Sequence, residues 1–162
     1  MATLAAVADD PDLGKGADVA TDCAIASMAK IFIHVYNSGA AGPGVPPLPA
    51  SIAQLMSRWV QYLPCDGDLI ESQKIHEMLV HFIASNNPIV MGEGFRNLPI
   101  VLGIFAAIFS RSDWEEICLP ETRQRMVQIM QQLSQAMPRD QLQSLLNAFT
   151  PEQMAALQPY FS

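Results

Sequence analysis

Six stretches of the chain carry apolar residues at positions i, i+3, i+4 and i+7, the pattern of an amphipathic helix with one buried face. The first residues of these stretches are Ile25, Ile52, Ile75, Val101, Met126 and Leu142. They follow one another at nearly even steps of roughly 25 residues, with a shorter step before the last. No segment alternates apolar and polar residues with the period of a strand. The pattern therefore predicts an all-α protein.

Turn and cap residues divide these predicted helices. The first helix is expected over residues 19–36, and a loop rich in glycine and proline, residues 42–49, separates it from the second. Pro64 ends the second helix, and Asp68 is placed to cap the third. Glu71 occupies the position that completes a capping box with Asp68. A tight turn between two antiparallel helices is therefore predicted.

The second half of the chain continues the same organisation. Helices are expected to begin near Asn97 and Pro120, and two short ones are expected over 140–149 and 151–161. One helical pair spans about 50 residues, close to the ~40 to 47 residues of HEAT and armadillo units. We therefore expect antiparallel helical pairs stacked as an α-solenoid over residues 18–137. Residues 138–162 would form glutamine-rich capping helices, and the acidic residues 1–17 a flexible leader.

Composition and charge narrow the classes of partner. The 162 residues are enough for one domain, and 50% of them are hydrophobic while only 15% are charged. The net charge is −7, which repels a nucleic-acid backbone and favours a basic protein partner. The longest uncharged apolar run, between Arg96 and Arg111, is shorter than the ~18 to 20 residues of a membrane span. We expect a soluble intracellular protein with no membrane or nucleic-acid partner.

Cysteine and methionine usage is typical of a packed helical core. The chain has three cysteines, an odd number at distant positions, which predicts buried thiols in a reducing compartment. Most of the nine methionines fall at core spacing, so we interpret them as gap fillers rather than as an adaptable binding groove. Trp59 lies on an apolar stripe and is predicted to be buried. Trp114 follows the fourth helix and is the better interface candidate.

No motif indicates an active site. His76 and His81 are five residues apart, about 500° of helical rotation, so their side chains diverge and are not expected to share a metal. Both are predicted to be surface or rim histidines. Gly92-Glu93-Gly94 lacks the preceding strand and the third glycine of a nucleotide-binding loop. We predict no enzyme activity, no cofactor and no metal site.

Several segments resemble a known family. The tract from Leu63 to Glu71, followed by His76-Glu77, is similar to the C-terminal end of the importin beta-3 branch of karyopherins. Asn97 to Val101 resembles the start of that family's last long repeat, and the similarity extends over residues 18–162. The resemblance implies HEAT repeats, no enzyme activity, and the C-terminal part of a nuclear import receptor. It also implies protein cargo, a location in cytoplasm and nucleus, contacts with nucleoporins, and control by the small GTPase Ran through N-terminal repeats that this chain lacks.

By analogy with HEAT arrays, the second helix of each pair lines the concave face. Asp22, Glu71 and Glu77 would then contact basic protein cargo, and Trp114 would lie at an interface. A truncated solenoid would also expose an apolar face, so we expect self-association through the first helix. The alternative class that the same periodicity permits is a stand-alone α-helical adaptor or scaffold.

Overall fold

A computed structural model describes the backbone of residues 18–39 and 50–161, and the side chains of residues 19–34 and 54–161. The α-helices in these ranges are α1 (Asp18–Gly39), α2 (Ala50–Trp59), α3 (Leu69–Ala84), α4 (Pro88–Met91), α5 (Leu98–Phe109), α6 (Trp114–Ile117), α7 (Pro120–Ala136), α8 (Arg139–Leu146) and α9 (Pro151–Leu157). Short 3-10 helices over Val60–Tyr62, Glu93–Phe95 and Gln158–Tyr160 follow α2, α4 and α9. The described ranges contain no strand, which confirms the all-α prediction there. The predicted leader and the loop over 42–49 lie outside them.

The long helices begin where their cap and proline signals predict. Asp68 caps α3, Asn97 precedes α5, and Pro120 is the first residue of α7. Proline at the first helical position costs no hydrogen bond, because the N–H groups of the first turn have no partner within the helix. Two four-residue helices, α4 and α6, are additions to the predicted set.

Residues from the predicted apolar stripes of α1, α2, α3, α5 and α7 form one continuous core in the described part of the chain. The stripe of α1 that starts at Ile25 is fully buried, as is the stripe of α5 that starts at Val101. Trp59 is buried as predicted, and its Nε1 donates a hydrogen bond of 3.1 Å to the carbonyl oxygen of Ile25. The rings of Trp59 and Phe32 both meet Phe82 edge to face, with centroid distances of 5.8 and 5.4 Å. These contacts join α1, α2 and α3 around shared aromatic side chains.

Helix α3 packs against α1, and the two helices run in the same direction. Near the start of α3, the carboxylate of Asp22 lies 2.8 Å from the backbone nitrogen of Gly67. Near the end of α3, Phe32 of α1 contacts Phe82. Because the early part of one helix meets the early part of the other, and the late part the late part, the pair is parallel.

Helix α7 lies against α3 in the same orientation. The Nε2 of Gln73, early in α3, donates to the carbonyl oxygen of Glu116, which precedes α7, at 3.1 Å. Val80 and Ala84, late in α3, line a groove with residues 125–132 of α7. Helix α5 runs the opposite way. The backbone nitrogen of Asn97, just before α5, donates to the carbonyl oxygen of Met91 in α4, which follows the end of α3. Arg111, just after α5, pairs with Asp66, just before α3. Helix α9 packs on α5.

Candidate functional site

The carboxylate of Asp22 joins α1 to the loop that precedes α3. Asp22 is 5% exposed, and its Oδ2 accepts hydrogen bonds from the backbone nitrogens of Gly67 and Asp68 at 2.8 and 3.0 Å. The hydroxyl of Ser72 donates to the same oxygen at 3.4 Å. A buried carboxylate requires such donors because it has lost its hydration. Asp22 therefore does not present its carboxylate to a protein partner, which differs from its expected place on a concave binding face.

The cap of α3 is built differently from the predicted capping box. The Oδ1 of Asp68 accepts from the backbone nitrogens of Ile70 and Glu71, each at 3.0 Å, as an N-cap should. The box would also require the Glu71 side chain to accept from the backbone nitrogen of Asp68. Asp22 from α1 accepts that hydrogen bond instead. A hydrogen bond from Asp68 to Asp22, which is distant in the sequence, thus replaces the predicted bond from Asp68 to the side chain of Glu71.

The side chain of Glu71 does not take part in the cap and forms two ion pairs instead. Its carboxylate oxygens lie 2.7 Å from Nζ of Lys30 on α1 and 3.0 Å from Nζ of Lys74 one turn later. The hydrogen bond from Lys30, followed by that from Lys74, holds the pKa of Glu71 below its ordinary value. Two cations surround this half-buried carboxylate, so Glu71 adds little negative potential to the surface. Glu77, by contrast, is exposed on the same helix.

His76 is fully buried, which corrects the prediction of a rim histidine. Its Nδ1 lies 2.8 Å from the carbonyl oxygen of Ile117, the last residue of α6, and its Nε2 is buried with no hydrogen-bond partner. Burial lowers the pKa of His76, although the Ile117 carbonyl acts in the opposite direction. The sequence does not reveal this burial, because the covering helix α6 has only four residues and shows no periodic pattern.

Two of the three free cysteines are buried, and Cys23 is exposed, so the prediction of three buried thiols is wrong at that position. Burial, together with the nearby charge of Asp22, raises the pKa of the Cys65 thiol. Burial also raises the pKa of Cys118 to about 11. Both buried thiols are therefore protonated at neutral pH, and a nucleophilic cysteine needs the opposite shift.

Trp114 is half-buried at the start of α6 and belongs to an internal aromatic cage. The guanidinium of Arg123 lies over the rings of Trp114, Phe109 and Tyr160, with centroid distances of 4.6, 4.8 and 5.7 Å. An Nη of Arg123 also donates to the Tyr160 hydroxyl at 2.8 Å. One face of the indole ring of Trp114, the expected interface residue, is therefore covered by the guanidinium of Arg123.

An acidic edge, defined as Asp66, Asp113, Glu115 and Glu116, lies where the start of α3 meets α6. All four residues are exposed. Arg111 bridges two of them, with Nη atoms 2.7 Å from Asp66 and 2.9 Å from Asp113. Glu115 and Glu116 make no ion pair with any residue that the structure describes. The edge is therefore a surface of net negative charge.

A groove of about 270 Å³ separates the later part of α3 from α7. We call it the α3–α7 groove. Its polar lining consists of His81, Arg125, Gln128 and Gln132. His81 is exposed, as predicted for a surface or rim histidine. No sequence motif links these four side chains, because their proximity depends on the parallel packing of the two helices.

The described residues contain no group of three or more histidine, cysteine, aspartate or glutamate side chains arranged to hold a metal ion. None of the described helices has both the length and the apolar character needed to cross a membrane. Comparison of the chain with models of known protein families and with curated protein sequences found no match.

Proposed function

We propose that this chain is a protein-binding segment of a helical-repeat receptor, the C-terminal part of a nuclear import receptor of the importin beta-3 type. The observation that carries the proposal is the parallel row of α1, α3 and α7, with α5 returning in the opposite direction. Asp22 of α1 contacts Ser72, 50 residues later on the adjacent parallel helix. That interval supports an array of helical pairs, which is the α-solenoid architecture of HEAT proteins.

A binding role also agrees with the way the buried polar groups are used. The carboxylates of Asp22 and Asp68 accept backbone hydrogen bonds, and the buried thiols have raised pKa values. These groups stabilise the packing of helices and the ends of helices. Exposed polar side chains available to a partner include Glu77 and, at the acidic edge, Glu115 and Glu116.

The acidic edge is the surface that best suits the basic protein cargo. Opposite charges accelerate association and align the partners, and the effect weakens as salt screens it. Of the residues expected to contact cargo, Glu77 keeps that role, and we add Glu115 and Glu116 because they are exposed and directly follow Trp114. Asp22 and Glu71 instead hold α1 against α3.

Charge reversal tests this surface. We expect the double variant Glu115→Lys and Glu116→Lys to bind a fluorescein-labelled Lys/Arg-rich peptide roughly fivefold to tenfold more weakly at low salt, as measured by fluorescence anisotropy. The matched control is Glu93→Lys with Glu152→Lys, which makes the same change in charge at two other exposed positions. Equal loss in both double variants would mean that net charge alone attracts the peptide, and would refute a cargo site at the edge.

The receptor assignment has its own test. An antibody raised against this segment should detect, in source cells, a polypeptide several times larger than 17.7 kDa, present in both cytoplasm and nucleus. Its capture should also recover Ran, bound through the N-terminal repeats, together with nucleoporins. A band near 17.7 kDa would favour the stand-alone adaptor instead.

Exposed apolar side chains on α1 support the expected self-association of the isolated segment. Val19 and Ile31 are 49% and 38% exposed, a large fraction for aliphatic side chains on a helix that is otherwise well packed. We expect Ile31→Glu to reduce the average mass measured by light scattering at high concentration. Ile70→Glu, at an exposed apolar position of α3, is the control and should leave that mass unchanged. A monomeric parent chain would exclude self-association.

A further inference from the structure

The lining of the α3–α7 groove includes an arginine and no acidic side chain, although the chain as a whole is acidic. One side is formed by His81 on α3, and the other by Arg125 and two glutamines on α7. Val80 and Ile129 add apolar surface between them. The groove therefore combines a cation, an imidazole and carboxamides around a small apolar area, in a protein whose net charge is −7.

Arg125 is exposed, and its guanidinium makes no ion pair with the residues that the structure describes. Other cations near α3 are already engaged: Lys30 and Lys74 bind Glu71, and Arg111 binds two aspartates. Arg125 thus keeps its full charge and its hydrogen-bond donors available to the groove. A guanidinium binds a carboxylate through two parallel hydrogen bonds, a geometry that an ammonium group cannot reproduce.

The glutamines supply a second kind of recognition. Gln128 and Gln132 are four residues apart, so both project from the same face of α7, with Arg125 one turn earlier. Each carboxamide can donate and accept at once, as a peptide bond does. The two side chains are therefore suited to an extended peptide backbone lying along α7.

We propose that the α3–α7 groove binds an acidic segment of a protein partner. The carboxylate of one aspartate or glutamate pairs with Arg125, the His81 imidazole lies on the opposite wall, and Gln128 and Gln132 bind the flanking backbone. The site has the opposite charge preference from the acidic edge and does not depend on the proposed receptor function.

The size of the groove favours a peptide over a small molecule. Its volume of about 270 Å³ lies just below the ~300 to 1,000 Å³ typical of pockets that enclose small ligands. One carboxylate side chain and its flanking backbone fit a groove of this size that is open to solvent. The remainder of the segment would lie along the outer faces of α3 and α7.

The test uses the full chain and a fluorescein-labelled peptide rich in glutamate, with anisotropy as the readout. We expect saturable binding that is lost when glutamine replaces every glutamate of the peptide. Arg125→Gln should weaken binding roughly threefold to fivefold, since a bidentate pair at an exposed position is removed. Arg125→Lys should recover only part of it, and Gln128→Ala should weaken binding by a smaller factor.

Arg139→Gln is the matched control, because Arg139 is an exposed arginine at the start of α8 and does not line the groove. It should bind the glutamate peptide as the parent chain does. Equal weakening by Arg139→Gln and Arg125→Gln would overturn the proposal in favour of non-specific attraction. Unchanged binding by Arg125→Gln, with circular dichroism showing a folded protein, would overturn it as well.

Discussion

Replacing Asp22 with alanine distinguishes a structural role from a binding role. The substitution removes the single oxygen atom that accepts hydrogen bonds from Gly67, Asp68 and Ser72. It leaves two backbone N–H groups of a half-buried loop without their acceptor. The contact between α1 and the start of α3 is therefore weakened directly, while no side chain of the acidic edge is changed.

The expected loss of stability follows from these contacts. A hydrogen bond to a charged group contributes about 1.5 to 3 kcal/mol, and an ordinary one about 1. The Ser72 contact, at 3.4 Å, is long and adds little. Water can reach part of the loop in the variant, which lowers the total. We expect a decrease in the free energy of unfolding of about 2 to 4 kcal/mol, or roughly 4 to 15 °C in Tm for a chain of this size.

Urea unfolding followed by far-UV circular dichroism measures this decrease. Asp68→Ala is the comparison, because it removes a local N-cap and should cost about 1 kcal/mol. In the double variant the two losses should not add, since Asp22 also binds the backbone nitrogen of Asp68. A loss below about 0.5 kcal/mol for Asp22→Ala, or weakened peptide binding with unchanged stability, would refute the structural role.

Three further predictions concern other buried or caged groups. Because burial holds the pKa of His76 below its ordinary value, the unfolded chain takes up its proton first, and stability should fall as pH drops below about 6.5. His76→Gln should flatten this dependence in urea titrations at several pH values, and an unchanged dependence in that variant would contradict the buried position of His76. Arg123→Met should lower the free energy of unfolding by roughly 1 to 2 kcal/mol and change Trp114 fluorescence, and an unaltered emission spectrum would count against the cage. A thiol reagent should label Cys23 in the folded protein and the two buried cysteines only after unfolding, and rapid labelling of all three would contradict their burial.

Hydrophobic periodicity predicted the long helices correctly because each needs one continuous apolar face. The stripes that start at Ile25 and Val101 are buried along their whole length. Cap and proline signals predicted the starts of α3, α5 and α7, since the N–H groups at a helix start must be satisfied locally or left to solvent. These features depend on neighbours within a few residues, so the sequence contains them.

The candidate sites depend on contacts between residues that are distant in the sequence, and local patterns do not predict such contacts. Glu71 has the right spacing for a capping box, yet Asp22 takes its place from a position 46 residues before Asp68. His76 shows no local sign of burial, because the covering segment ends at Ile117 and α6 is too short to produce a periodic pattern. Arg125 lies in the proposed peptide-binding groove because parallel packing places α7 beside His81 of α3, which no local pattern predicts.

The cage around Arg123 has a consequence for the dynamics of the chain. It joins the end of α5 through Phe109, the start of α6 through Trp114, and the C-terminal 3-10 helix through Tyr160. A helix as short as α9, with seven residues, would ordinarily fray and exchange its amide hydrogens quickly. Here α9 cannot move far from α5 unless Tyr160 also leaves Arg123. Amide exchange in α9 should therefore be as slow as in α5, and the two should open as one cooperative unit.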